Sequence, residues 1–204
     1  MASAITHFVV GASLALPAIE SRTIRKVLKP WAVPLTAGLL AVVPDLDTPQ
    51  RLFDEMHQGF WGHRGFFHSP FFLLLLCASL AAIAARRHGW RVWACLTLLW
   101  AGCAITHPLL DLLSDGGDGV MALYPFSTKR YLFPWHPIHA APLGFADFLN
   151  EGRSRYFIRR HHLYSSMARY FSQAAYVRKS EMPFDLAALA IGVAGWLARR
   201  CRML

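Results

Sequence analysis

Charge is scarce in this sequence. Asp, Glu, Lys and Arg make up 16% of the 204 residues, against roughly 25% in a typical soluble domain. Hydrophobic residues reach 55% and stand in long blocks rather than at surface-and-core spacing, so lipid is expected to cover the surplus apolar surface. Cysteine is also sparse: Cys77, Cys95 and Cys103 lie in apolar runs and Cys201 in a basic tail. With no Cys-x-x-Cys pair, this excludes a disulfide framework and a thiolate zinc site, and all four are read as packing residues. There is no His-Glu-x-x-His helix, which disfavours a metallopeptidase, and no repeat or low-complexity tract. The N-terminus lacks the basic start of a secretory signal, so its apolar stretch is expected to be retained as a helix. Nor is there a basic stripe with interleaved stacking aromatics, although the formal charge is +9. Nucleic acid is therefore not the expected partner; anionic membrane lipids are.

Five apolar segments are present, at about Ile5–Ile19, Trp31–Val43, Pro70–Ala85, Val92–Leu113 and Phe184–Ala198. Only the fourth has the ~20 residues of a standard span; the others must tilt, be buried or end below the surface. The expected fold class is all-α, a multi-spanning transmembrane bundle of four or five membrane helices forming one membrane-embedded domain over residues 1–204. Residues 114–183 are expected as an extramembrane insertion between the last two membrane helices, with helix over Arg155–Tyr176 lying along the membrane surface. Ser69-Pro70 reads as a cap with proline at the first helical position, and Pro44 closes the second segment. Basic residues follow the first segment (Arg22, Arg25, Lys26, Lys29), the third (Arg86, Arg87, Arg91) and the fifth (Arg199, Arg200, Arg202), which points those ends to the cytoplasm.

Seven candidate metal ligands then share the opposite, non-cytoplasmic side. His7 opens the first segment, Asp45 and Asp47 close the second, His63 and His68 precede the third, and His107 and Asp111 close the fourth. His107 and Asp111 are four apart, so one helix face presents both. Asp45-Leu46-Asp47 places two carboxylates on one side if extended. A lone His or Asp at a membrane interface is ordinarily a capping or snorkelling residue. Seven at one end of a bundle are a stronger signal, because ionisable groups near spans are expensive. His and Asp donors without cysteine suit zinc first, with manganese and iron as alternatives and room for two or more ions. An open coordination position lowers the pKa of bound water to about 7 and delivers hydroxide, the chemistry of a hydrolase.

Arg64, and after it Lys129 and Arg130 in the run Ser127-Thr128-Lys129-Arg130, are the candidates for neutralising an anionic substrate. For Arg64 a headgroup contact or a salt bridge to one of the aspartates is an equal alternative. His136 and His139 are weaker ligand candidates, His161 and His162 read as a solvated helix face, and Asp115 and Asp118 lack an EF-hand loop's length.

Taken together, Thr6-His7 with Gly11, Pro44-Asp45-Leu46-Asp47, His63-Arg64-Gly65 with His68-Ser69, and His107-Pro108-Leu109-Leu110-Asp111 followed by Tyr124-Pro125-Phe126 resemble the bacterial LexA-regulated, membrane-bound metal-dependent hydrolases, also called YdjM-like, over about residues 1–130. The resemblance implies a multi-pass protein of the bacterial inner membrane with a metal-dependent hydrolase assignment. The residues from 131 to 183 exceed the usual pattern. The paired His motifs are also similar, more loosely, to zinc-dependent phospholipase C enzymes. The expected function is hydrolysis of an ester, foremost a phosphoester of a lipid or lipid-linked molecule. A metal or ion transporter, and a non-catalytic membrane factor with a structural metal, are the rival expectations; the first would need further polar groups along a path through the bilayer.

Overall fold

Helix α1 (Ala4–Leu14) starts where Ser3 caps it: the Ser3 hydroxyl accepts the Thr6 N–H at 3.3 Å, satisfying one of the orphan donors of the first turn. It passes into a 3-10 turn at Leu16–Glu20. Helix α2 (Ala32–Val42) continues into a 3-10 helix at Val43–Leu52; Pro44 sits at that change, where its missing N–H can no longer extend an α ladder. Helix α3 (Pro70–Ala85) opens on the expected proline. Ser69 occupies the cap position, but its hydroxyl donates to the Tyr124 carbonyl at 2.5 Å instead of capping the helix. Gly89, at φ +82°, makes the tight turn into α4 (Trp90–Leu112), a backbone shape that glycine adopts at little cost. Helix α5 runs over His162–Cys201.

The computed structural model describes residues 2–52, 64–115, 119–139 and 162–202 of the chain. Among these the fold is all-helical; only two isolated bridges, Ser114 to Ile138 and Val120 to Tyr131, have β character. Helix α1 packs on α2 and α5, α3 pairs with α4, and α2 and α1 both touch α4. The α1–α2 crossing is close: a Cβ on Gly11 would lie 2.6 Å from the Ala41 Cβ and 3.0 Å from the Ala37 carbonyl oxygen. Small residues allow this approach, as in many membrane helix pairs. Leu73, Cys77, Ala81, Leu96, Trp100 and Ala104 form a core between α3 and α4 with α2 against it, and Val10, Leu110, Ile138 and Ala188 form a second one nearer the chain's start. All four cysteines are free. Large apolar side chains such as Leu75, Ile83, Leu98, Leu186 and Ile191 point outward, the arrangement lipid would solvate.

Two helices are long and apolar enough to cross a bilayer: α4, and the Ala175–Cys201 part of α5. The shorter apolar helices α1 and α3 fall below that length. The last span is longer than the sequence reading of Phe184–Ala198 because α5 runs through Pro183 without a break. A proline forfeits one backbone hydrogen bond and crowds the preceding turn, and here both neighbouring turns stay helical. The helix expected over Arg155–Tyr176 is thus, in its described part, the first turns of the final helix itself. Its beginning, together with Asp118, His161 and the rest of residues 140–161, lies outside the described residues.

Candidate metal centre

Four elements converge at one end of the bundle. Helix α1 contributes His7, the 3-10 helix after α2 contributes Asp45 and Asp47, the 3-10 turn Phe66–His68 contributes His68, and the last turns of α4 contribute His107 and Asp111. His7, His68, His107 and Asp111 are fully buried, and Asp47 nearly so. Pro108 follows His107 inside α4 without ending it, so the i, i+4 relation that places His107 and Asp111 on one face is kept.

The hydrogen bonding fixes how the imidazoles face. His107 Nδ1 lies 2.7 Å from the Ala41 carbonyl oxygen; a carbonyl only accepts, so Nδ1 carries a proton and Nε2 is the nitrogen that points inward. His68 Nδ1 faces Asp47 Oδ2 at 3.3 Å, leaving its Nε2 to point inward as well. Burial pushes the His68 imidazole below its usual pKa, the Asp47 carboxylate offsetting part of the effect, so a neutral ring is favoured. The two Nε2 atoms are 3.1 Å apart. Two lone pairs at that distance repel unless a proton or a cation stands between them. Two nitrogens each ~2.0–2.1 Å from a tetrahedral zinc would be about 3.3 Å apart.

Carboxylates complete the ring. His107 Nε2 is 3.5 Å from Asp45 Oδ1 and 3.9 Å from Asp111 Oδ2; His68 Nε2 is 3.6 Å from the same Asp111 Oδ2. The His7 ring stacks on His107 with centroids 3.6 Å apart, and its Nε2 lies 3.6 Å from Asp111 Oδ1. Neither His7 ring nitrogen has a hydrogen-bond partner among the described residues. A buried orphaned imidazole is costly and is what a ligand position without its ion looks like. Two triads, His7–Asp45–His107 and His68–His107–Asp111, each bring their donor atoms within 4.8 Å of one another. His107 is common to both and would have one lone pair to give, so it would serve one ion; Asp111 has Oδ1 toward His7 and Oδ2 toward His68 and His107, and would be the carboxylate shared if two were held. The donor set therefore fits a divalent ion of the zinc, manganese or iron kind.

Arg64 adjoins the centre as a partner of Asp111. Its Nε is 3.2 Å from Asp111 Oδ2 and its Nη2 donates to the Ser114 hydroxyl at 2.7 Å. The side chain is almost wholly buried, and the residue sits at φ +60°, a conformation that a non-glycine holds only where its surroundings enforce it. Its carbonyl accepts the Met121 N–H at 2.9 Å. The Ala2 N–H donates to Asp111 Oδ1 at 3.1 Å.

The model of a family described as "YdjM inner membrane protein" matches residues 1–197. The chain belongs to the YdjM inner membrane protein family. A YdjM-type relative, the "Inner membrane protein YbcI" of Escherichia coli (strain K12), is 36% identical over 118 residues, a match covering 56% of this chain and 66% of the relative. The match thus spans just under two thirds of that relative's length. No solved structure matches the chain. As a YdjM-family member the protein is a membrane protein, and its two long apolar helices accord with that.

Of the residues singled out in the sequence, His7, Asp45, Asp47, His68, His107, Asp111 and Arg64 come together. His63 lies outside the described residues. Lys129 is exposed, its N–H held by the Ser127 hydroxyl at 3.2 Å, and Arg130 donates to the Gly119 carbonyl at 3.1 Å; both belong to the loop that also reaches Arg64 through Met121. His139 pairs with Asp115 at 2.7 Å on the surface. Sequence reasoning missed the backbone groups, Ala41 C=O and Ala2 N–H, which leave no trace in residue type. It also missed Arg178, Glu181 and Asp185, which join α5 to the start of α1. Their i, i+3, i+7 spacing on one helix face was the available signal, but a boundary drawn at Pro183 divided them.

Proposed function

We propose that this protein is a membrane-bound metal-dependent hydrolase that cleaves a phosphoester of a lipid or lipid-linked substrate. The observation that carries the reading is the pair of inward-facing imidazoles, His68 and His107, each with its other nitrogen directed at an acceptor and carboxylates beside both. In this reading His7, Asp45, His68, His107 and Asp111 hold the metal, zinc in the first instance. Asp47 and the Ala41 carbonyl orient His68 and His107, as outer-shell acceptors do in metalloenzymes. A bound divalent ion supplies Lewis acidity and activates water near neutral pH. Arg64 holds Asp111 in place and spreads positive charge at the centre's edge. Lys129 and Arg130, in the loop that reaches Arg64 through Met121, are the further cations assigned to substrate phosphate.

The bundle carries four or five membrane helices in this account, with the shorter ones tilted or sunk among their neighbours. The centre faces the non-cytoplasmic side of the inner membrane. The support is charge: Arg86 and Arg87 follow α3, Arg199 and Arg200 close α5, and Arg25 and Lys26 follow α1, all at the ends away from the His and Asp residues. A substrate whose tail stays in lipid suits a centre at that level.

Full burial of His7, His68, His107 and Asp111 favours a second reading, a saturated structural metal that ties four elements together without turnover. One experiment separates the two. Purified, metal-loaded protein is incubated with a panel of lipid phosphoesters, and headgroup or phosphate release is followed. Release that stops with chelator and in His107→Ala supports the hydrolase; stoichiometric metal with no release across the panel supports the structural site.

A further inference from the structure

We propose that Glu181 is a positioning residue for the metal centre, acting from α5 through Ser3 and Ala2 on Asp111. The inference rests on the metal reading above. Glu181 is fully buried within the Ala175–Cys201 part of α5, the stretch long and apolar enough to cross a bilayer. Its carboxylate accepts two hydrogen bonds from one residue, the Ser3 N–H to Oε1 and the Ser3 hydroxyl to Oε2, the latter at 2.7 Å. The same hydroxyl caps α1 by accepting from Thr6 N–H, and the Ser3 carbonyl accepts the His7 N–H at 3.1 Å. The neighbouring Ala2 N–H is the one that reaches Asp111 Oδ1. Glu181 therefore grips the single residue from which a donor to one ligand and the helical turn bearing another both depart.

The carboxylate is itself held. Arg178 Nη1 donates to Glu181 Oε2 at 3.2 Å and to the Thr6 hydroxyl at 2.7 Å, while its Nη2 donates to Asp185 Oδ2 at 2.5 Å. Glu181 and Asp185 are buried while Arg178 keeps a third of its side chain exposed, and carboxylates buried against a membrane helix are expensive to keep. A purely apolar seam would dock α5 on α1 at lower cost, as Gly192 already permits by closing to the Ser13 carbonyl. What an apolar seam cannot do is fix the direction of the Ala2 and Ser3 N–H groups.

The test compares metal affinity, by chelator competition, and the visible spectrum of the cobalt-loaded protein among wild type, Glu181→Ala, Glu181→Gln and Ser3→Ala. Unfolding temperature of each metal-free protein serves as the structural control. Outer-shell changes at metal sites cost about 10–100-fold in affinity, and Glu181→Ala is expected in that range with an altered cobalt spectrum. Glu181→Gln, whose carbonyl still accepts the Ser3 N–H, regains most of the affinity, and Ser3→Ala falls between. Should Glu181→Ala fail to fold, the Gln and Ser3→Ala variants carry the same ordering. Wild-type affinity and spectrum in Glu181→Ala and Ser3→Ala, whatever their stability, overturn the inference while leaving the metal reading intact. A wild-type protein that binds no metal overturns both.

Discussion

Neutralising Asp111 without changing its shape tests the electrostatics of the centre directly. Asp111 is buried with the Arg64 guanidinium 3.2 Å away and the Ala2 N–H 3.1 Å away, and Arg64 is itself only 2% exposed. Asp111→Asn leaves that guanidinium with the Ser114 hydroxyl as a neutral neighbour. Stranding one member of a buried ion pair costs about 3–5 kcal/mol. For a chain of this size each kcal/mol moves the melting temperature by about 2–4 °C, so a fall of about 6–20 °C is expected on these two magnitudes. Adding Arg64→Met removes the stranded charge and recovers more than half of the loss, a coupling of at least ~1 kcal/mol between residues in contact. The assay is thermal unfolding of detergent-purified protein in chelator, followed by tryptophan fluorescence. A single variant as stable as wild type, or a double variant no better than the single, would refute the pairing. Neither variant is expected to bind metal.

Further outcomes follow from the same geometry. Asp47→Ala removes the acceptor facing His68 Nδ1 and should lower metal affinity about 10–100-fold in chelator competition, while leaving the ligands themselves in place. Zinc at about 1,000 times its dissociation constant should stabilise wild type by about 4 kcal/mol; His107→Ala, lacking the nitrogen common to both triads, should show no shift. Gly11→Val forces α1 away from Ala41, 2.6 Å from the added Cβ. It should cost about 1–3 kcal/mol as overpacking and weaken metal binding as well, since the Ala41 carbonyl orients His107; unchanged metal affinity would show that α2 yields without moving that carbonyl.

How legible this was in the sequence depended on whether a residue's type announces its role. The helices over Pro70–Ala85 and Trp90–Leu112 were readable as the apolar runs Pro70–Ala85 and Val92–Leu113, the first opened by Ser69-Pro70. His7, Asp45, Asp47, His68, His107 and Asp111 could be gathered because each flanks an apolar segment on the same side. Their convergence needed no long-range detail beyond alternation of the helices. Arg64's choice of Asp111 over a ligand was open in the sequence, since a guanidinium suits either. Helix α5 was misjudged at its start because proline is read as a stop, whereas the α1 seam holds both sides of Pro183: Arg178 and Asp185 bracket it and meet Thr6. The outer-shell contacts from Ala41 and Ala2 are main-chain groups, and only their placement by α2 and by Ser3 gives them a role.

Metal content decides the account most directly. Wild type and Asp45→Ala/His107→Ala are purified in detergent without added metal, and both are measured by plasma mass spectrometry. At least one equivalent of zinc, manganese or iron in wild type, lost in the double variant, is the expected result. Wild type with no stoichiometric metal, or a double variant that retains all of it, would contradict the centre built here from His7, Asp45, His68, His107 and Asp111.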